Sequence, residues 1–274
     1  MLSMSQTTCE TTESVGYCPV KTQQWRDQEI LSLDDNVVEE VPIALVYNGI
    51  SQAVMMATPC DLEDFGIGFS LAENIVQNPQ QIYDLQVTTR HNGYEINLHI
   101  SGERMRALKN YRRTMTGNTG CGLCGVDSLD GAIRAGKIVA KAPLPDPKTI
   151  QHAVDQLAQW QRIRQHTGGS HAAVWCDLQG DKVILREDVG RHNAFDKLIG
   201  AMAKSNTSTL HGFALISSRA SYEMVIKSSF LQCANLVAIS APTSLAISQA
   251  EKFNINLIGF ARNGKYNIYH ESKR

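Results

Sequence analysis

Residues 212–261 read GFALISSRASYEMVIKSSFLQCANLVAISAPTSLAISQAEKFNINLIGFA, and the fold class turns on this stretch. Short apolar runs at 212–217, 236–241 and 256–261 have the length and composition of buried strands. Between them, 221–234 and 244–253 carry helical spacing, and a last strand is expected at 266–269. Strand–helix–strand succession of this kind requires right-handed crossovers and a largely parallel sheet with helices on both faces.

Working outward, 172–178 and 182–187 form a hairpin around Gln179-Gly180-Asp181. A helix follows at 193–203, with Phe195, Leu198, Ile199 and Met202 on its buried side. Ile150, Val154, Leu157, Ala158 and Trp160 lie near helical spacing, which predicts one amphipathic helix over 149–166. The first half has a different pattern. Asn48-Gly49 and Asn92-Gly93 sit between apolar runs at 41–47 and 50–57, and at 82–90 and 94–100, the sign of two hairpins. A helix is expected at 61–77 and a basic amphipathic one at 104–113.

The chain therefore divides into a tail at 1–24, a smaller α+β domain with antiparallel hairpins at 25–113, a cysteine-containing loop and linker at 114–148, and an α/β domain at 149–274. The tail is rich in Ser, Thr and Gln and cannot repay the entropy of ordering. Pro143, Pro145 and Pro147 keep the linker extended, and Ser128 caps a short helix to about residue 135.

Twenty-six Lys+Arg against 27 Asp+Glu leave a net charge of −1, so no global field draws the chain to nucleic acid or an acidic membrane. Any anion site must be local. The first 21 residues lack a basic stretch followed by an apolar core, and no apolar run reaches the roughly 18 to 20 residues of a membrane helix. A cytoplasmic protein is expected, with seven cysteines kept as thiols. Cys9 and Cys18 read as tail thiols, and Cys60, Cys176 and Cys233 as small core hydrophobes.

Cys121-Gly122-Leu123-Cys124 lies in a glycine-rich loop and has three readings. A structural zinc site wants four ligands, and no second pair exists. A dithiol redox site wants the pair at a helix start directly after a core strand. A thiol that accepts and hands on an atom wants exposure, ionisation and reach, and a flexible loop ahead of a helix start supplies all three.

A second signal lies where the parallel strands end, at the edge where open α/β sheets bind ligands. The loops there bring Ser217, Arg219, Thr243, Ser244, Arg262, Asn263 and Lys265 to one rim, with Arg191 and His192 beside it. Hydroxyls, helix-start N–H groups and fixed cations describe a site for a phosphorylated or nucleotide ligand. The same residues also fit plain helix caps and solvated charges. No Walker loop, Gly-x-Gly-x-x-Gly or Gly-x-Ser-x-Gly occurs. His171 and His192 fit hydrogen-bonded structural roles better than that of a catalytic base.

Five blocks in order carry a resemblance: Cys121-Gly-Leu-Cys124-Gly, Thr167-Gly-Gly-Ser-His-Ala, Glu187-Asp-Val-Gly-Arg-His-Asn-Ala-Phe-Asp-Lys197, Ser217-Ser-Arg-Ala-Ser-Tyr-Glu223 and Ala241-Pro-Thr-Ser-Leu-Ala246. Together they resemble the FdhD/NarQ family. That resemblance implies a cytidine-deaminase-like three-layer α/β/α domain joined to a smaller domain, a homodimer, and sulfurtransferase activity. Sulfur would pass from a cysteine desulfurase as a persulfide to the molybdenum cofactor, bis-molybdopterin guanine dinucleotide, needed by formate dehydrogenase. It maps the persulfide carrier to Cys121, an auxiliary thiol to Cys124, and cofactor binding to Phe260, Ala261, Arg262, Asn263, Gly264 and Lys265, where a GDP-like nucleotide would also bind. The deaminase likeness concerns fold alone, since His-x-Glu is absent and Cys121 follows Gly120 and not Pro. No resident metal is expected. The competing readings are a non-covalent cofactor-binding chaperone and a dithiol oxidoreductase.

Overall fold

A computed structural model describes residues 14–115 and 136–272. Cys121, Cys124, residues 1–13 of the expected tail and the expected helix ending near 135 lie outside the described residues.

The second half is built on a six-stranded sheet. Its strands are β7 (His171–Cys176), β8 (Lys182–Asp188), β9 (Phe213–Ile216), β10 (Asn235–Ala238), β11 (Asn256–Arg262) and β12 (Lys265–His270), in the order β12-β11-β10-β9-β7-β8. Parallel pairing is confined to β9-β10-β11, while β12, β7 and β8 join antiparallel. The α/β class holds, but the expected largely parallel sheet is mixed. The physical reason is that two of its three edge additions arrive through hairpins, which can only pair antiparallel.

Period-2 alternation splits the strands between two cores. Ala214 and Ile216 face α5 (Arg191–Lys204), α6 (Tyr222–Leu231) and α7 (Ser244–Phe253). Phe213 and Leu215 face α3 (Pro147–Trp160), completing three layers. The helix expected over 149–166 is two: α3 stops at Gln161, and α4 (Arg162–Thr167) begins there because the Glu187 carboxylate accepts from the Ile163 and Arg164 N–H groups.

In the first half, hairpins β3 (Val41–Tyr47)–β4 (Ile50–Ala57) and β5 (Ile82–Arg90)–β6 (Gly93–Ile100) join through a parallel β3–β6 contact. Asn48 and Gly49 both have positive φ, as the Asn-Gly turn requires. Helices α1 (Leu62–Ala72) and α2 (Gly102–Met115) cover one face of this sheet, with Phe65, Phe69, Met105 and Leu108 in its core.

The expected tail requires correction, because Tyr17–Arg26 is strand β1, paired over its whole length with β2 (Glu29–Val38). Its base is anchored where the Tyr17 ring stacks on His166 with centroids 4.6 Å apart. Its turn, Asp27-Gln28, takes positive φ without a glycine, which removed the usual hairpin signal.

The halves meet where α1 crosses α5. A Cβ on Gly68 would stand 1.7 Å from the Asp196 carbonyl oxygen, and one on Gly200 1.9 Å from that of Asp64. Only glycine permits so close a backbone approach. Fully buried Lys197 bonds Asp188 at 2.7 Å and the Thr58 carbonyl at 2.8 Å, tying the loop after β4 to the start of α5.

Candidate functional site

Because β9, β10 and β11 run parallel, their carboxyl ends open on one edge, and the loops that leave them are stitched together. Ser240 N–H donates to the Ser218 carbonyl at 3.4 Å, Ala220 N–H to Ala241 at 3.2 Å, Thr243 N–H to Ala220 at 3.0 Å and Phe260 N–H to Ser240 at 3.1 Å. Neighbouring strands in a sheet lie about 4.8 Å apart, so these loops form one rim.

Ser217 Oγ accepts from the Ala172 N–H at 2.9 Å and lies 3.3 Å from His171 Nδ1. Arg219 and Ser244 are exposed. Thr243 caps α7 by accepting from Ala246 N–H at 3.2 Å, so its hydroxyl has a structural role. Arg262 and Lys265 face each other across the turn Asn263-Gly264, whose φ angles of 53° and 73° make a tight hairpin, and all four residues are exposed. Phe260 lies half-buried beneath the Arg262 guanidinium, 5.8 Å from its ring centre, and has φ of 53° at a bulge. Ala261 is buried in the core beside Ile258, so only its backbone could face a ligand. The fold thus brings Ser217, Arg219, Thr243, Ser244 and the hairpin at 260–265 to one edge.

Beside them stand residues at the starts of α5 and α6. His192 Nε2 is 2.5 Å from Glu223 Oε2, and this contact holds the Glu223 carboxyl below the usual range. Burial, then the charges of Arg191, Arg164 and His192, push His171 below the ordinary histidine value, which favours the neutral ring. Glu223 closes the Ser217–Glu223 block but is not among the expected site residues, although it lies in the first turn of α6.

Three thiols in the described part are unsuited to nucleophilic work. Burial raises Cys60 and Cys233 to about 11 and pushes Cys176 up further still. Cys176 and Cys233 are core residues as expected, whereas Cys60 is only half-buried and donates to the Ser14 carbonyl at 3.0 Å. A thiolate is the reactive form, so each of these would be slow.

The sequence description of the FdhD/NarQ family matches residues 38–274. The chain belongs to that family. It is 47% identical over 251 residues to the sulfur carrier protein FdhD of Cupriavidus necator, covering 92% of this chain and 87% of that one. It is 46% identical over 243 residues to the protein of the same name from Xanthomonas euvesicatoria pv. vesicatoria, covering 89% and 86%. A crystal structure described as a formate dehydrogenase accessory protein from Desulfotalea psychrophila superposes with a TM-score of 0.70 at 18% identity, over 93% of this chain and 96% of that one, and shares the fold.

Proposed function

We propose that this protein is a sulfur carrier serving formate dehydrogenase, and that it works as a sulfurtransferase through a persulfide on Cys121. The observation that carries this reading is the 47% identity to a sulfur carrier protein over nearly the whole chain, joined to the Cys121-Gly-Leu-Cys124 sequence. In the first step the Cys121 thiolate attacks the outer sulfur of a desulfurase persulfide. The S–S bond breaks, the donor cysteine leaves as thiolate, and Cys121 holds the sulfur. In the second step that sulfur atom passes to molybdenum, the metal supplies the electron pair of the new bond, and Cys121 returns as thiolate. Cys124 is an auxiliary thiol. The molybdenum cofactor, as bis-molybdopterin guanine dinucleotide, is the bound substrate, with its nucleotide on the rim formed by Ser217, Arg219, Ser244 and residues 260–265. The protein acts in the cytoplasm as a homodimer, meeting a cysteine desulfurase and then formate dehydrogenase. Among the described residues no helix is long and apolar enough to cross a membrane.

Intact-mass spectrometry without reductant, after incubation with a cysteine desulfurase and cysteine, tests the carrier step. Wild type should gain about 32 Da, reversibly on reduction, and Cys121→Ala should gain nothing. An unmodified wild type beside an active desulfurase would shift the balance to a second reading favoured by the cationic rim, a chaperone that binds the cofactor without covalent chemistry. Equal loss of target activation in Cys121→Ser and Cys124→Ser would instead mark a dithiol oxidoreductase.

A further inference from the structure

The rim continues past β9 to a cluster drawn from three elements. His171 begins β7, Arg191 and His192 open α5, and Ser221 and Glu223 flank the start of α6. Their proximity is fixed by several contacts. His171 pairs with Asp188 in the sheet and touches Ser217, His192 meets Glu223, and the charge of Arg191 acts on both His171 and Glu223.

Three polar atoms here are buried, Arg191 Nε, His192 Nε2 and Ser221 Oγ; His192 Nε2 meets Glu223, and among the described residues Arg191 Nε and Ser221 Oγ have no hydrogen-bond partner. Buried donors left without a partner are uncommon and call for an explanation, such as an absent ligand. Neither α5 nor α6 is capped by a side chain, in contrast to α7. The nearby acids are already engaged. Asp188 holds Lys197, Thr58 N–H, Gly190 N–H and Asn193. Glu187 holds Ile163 N–H, Arg164 N–H and Ser170. Asp196, whose charge also acts on His192, holds Lys227, and among the described residues Glu223 is the acid that meets His192 and lies in the field of Arg191.

We propose that His171, Arg191, His192 and Ser221 form an anion subsite that takes a phosphate group of a nucleotide ligand. This rests on the nucleotide part of the proposed function and extends it. Along the sheet order, the subsite at β7 is three strand spacings from the β11–β12 hairpin, about 14 Å. A nucleotide diphosphate bridges such a span; a lone phosphate does not. In the bound state Arg191 Nε–H and the Ser221 hydroxyl donate to phosphate oxygens, and His192 exchanges Glu223 for the ligand.

Calorimetric titration of the full-length protein with inorganic pyrophosphate and, separately, GDP tests this. Arg191→Gln should weaken both ligands about tenfold or more, since a charge-assisted hydrogen bond is lost. Glu223→Gln should tighten both several-fold by removing the competing carboxylate, an effect that damaged folding cannot imitate. Wild-type thermal unfolding in each variant checks integrity. If wild type binds GDP and both variants match it, the subsite is wrong while nucleotide binding stands. Pyrophosphate binding that responds to both variants, without GDP binding, supports the subsite and removes the nucleotide reading. A wild type that binds neither overturns both.

Discussion

At the residue scale, the decisive side chains are charged groups whose partners lie far along the chain. Lys197 sits on the buried face of α5 in a sequence block that reads as amphipathic helix, yet its partners are Asp188 and the carbonyl of Thr58, 139 residues away. Removing one member of a buried pair leaves the other uncompensated. Lys197→Met should therefore cost about 3–5 kcal/mol in urea unfolding, with the loss centred on the junction of the two halves. The rim was legible at this scale because strand direction alone decides which loops share an edge. Thr243 and Ala261 were read less well. A hydroxyl at a helix start fits a cap as well as a ligand, and the bulge at Gly259–Arg262 disturbs the alternation that would have marked Ala261 as core.

At the scale of elements, glycines separate two kinds of constraint. Gly68 and Gly200 sit where α1 and α5 touch backbone to backbone, so a methyl group there must push the helices apart. Gly68→Ala and Gly200→Ala should each cost about 3 kcal/mol or more, read as a lower urea midpoint. Gly264 has φ of 73° with no atom within 4 Å of an added Cβ. Gly264→Ala should cost only about 1 kcal/mol, from backbone conformation alone. Element positions were readable wherever turn chemistry agreed with periodicity, as at Asn48-Gly49 and at α7, expected and found at 244–253. The β1–β2 ribbon was not, because its turn lacks glycine and its strands are largely exposed on both faces, with apolar residues such as Trp25, Ile30 and Leu31 left in solvent. Nor was the break at Gln161, which is made by Glu187 from a distant strand.

At the scale of the whole molecule, α1, α5 and α6 meet around Asp196, where burial pushes the carboxyl up to about 6 against the pull of Lys227, 2.5 Å away. A carboxyl raised in the folded state binds an extra proton there. Its contribution to stability is full below about 4 and declines as pH rises to about 6. His171, lowered in the folded state, acts oppositely and loses stability as pH falls below the ordinary histidine value. Urea unfolding of wild type and Asp196→Asn between pH 4 and 7 separates them. The difference curve should slope by up to about 1.4 kcal/mol per pH unit and flatten above pH 6. By itself the amino-acid sequence determined the α/β class, the order of elements from β3 onward apart from the break at Gln161, the edge where the parallel strands end, the cysteine pair and the family, because periodicity, turn chemistry and motif spacing act over a few residues. Only the tertiary structure decided the mixed pairing of the sheet, the contact of Gly68 with α5, and the burial of Arg191 Nε and Ser221 Oγ without a hydrogen-bond partner among the described residues. Those outcomes depend on packing between segments distant in the chain, from Ala173 with Ile216 across β7–β9 to Gly68 with Asp196, which no local pattern encodes.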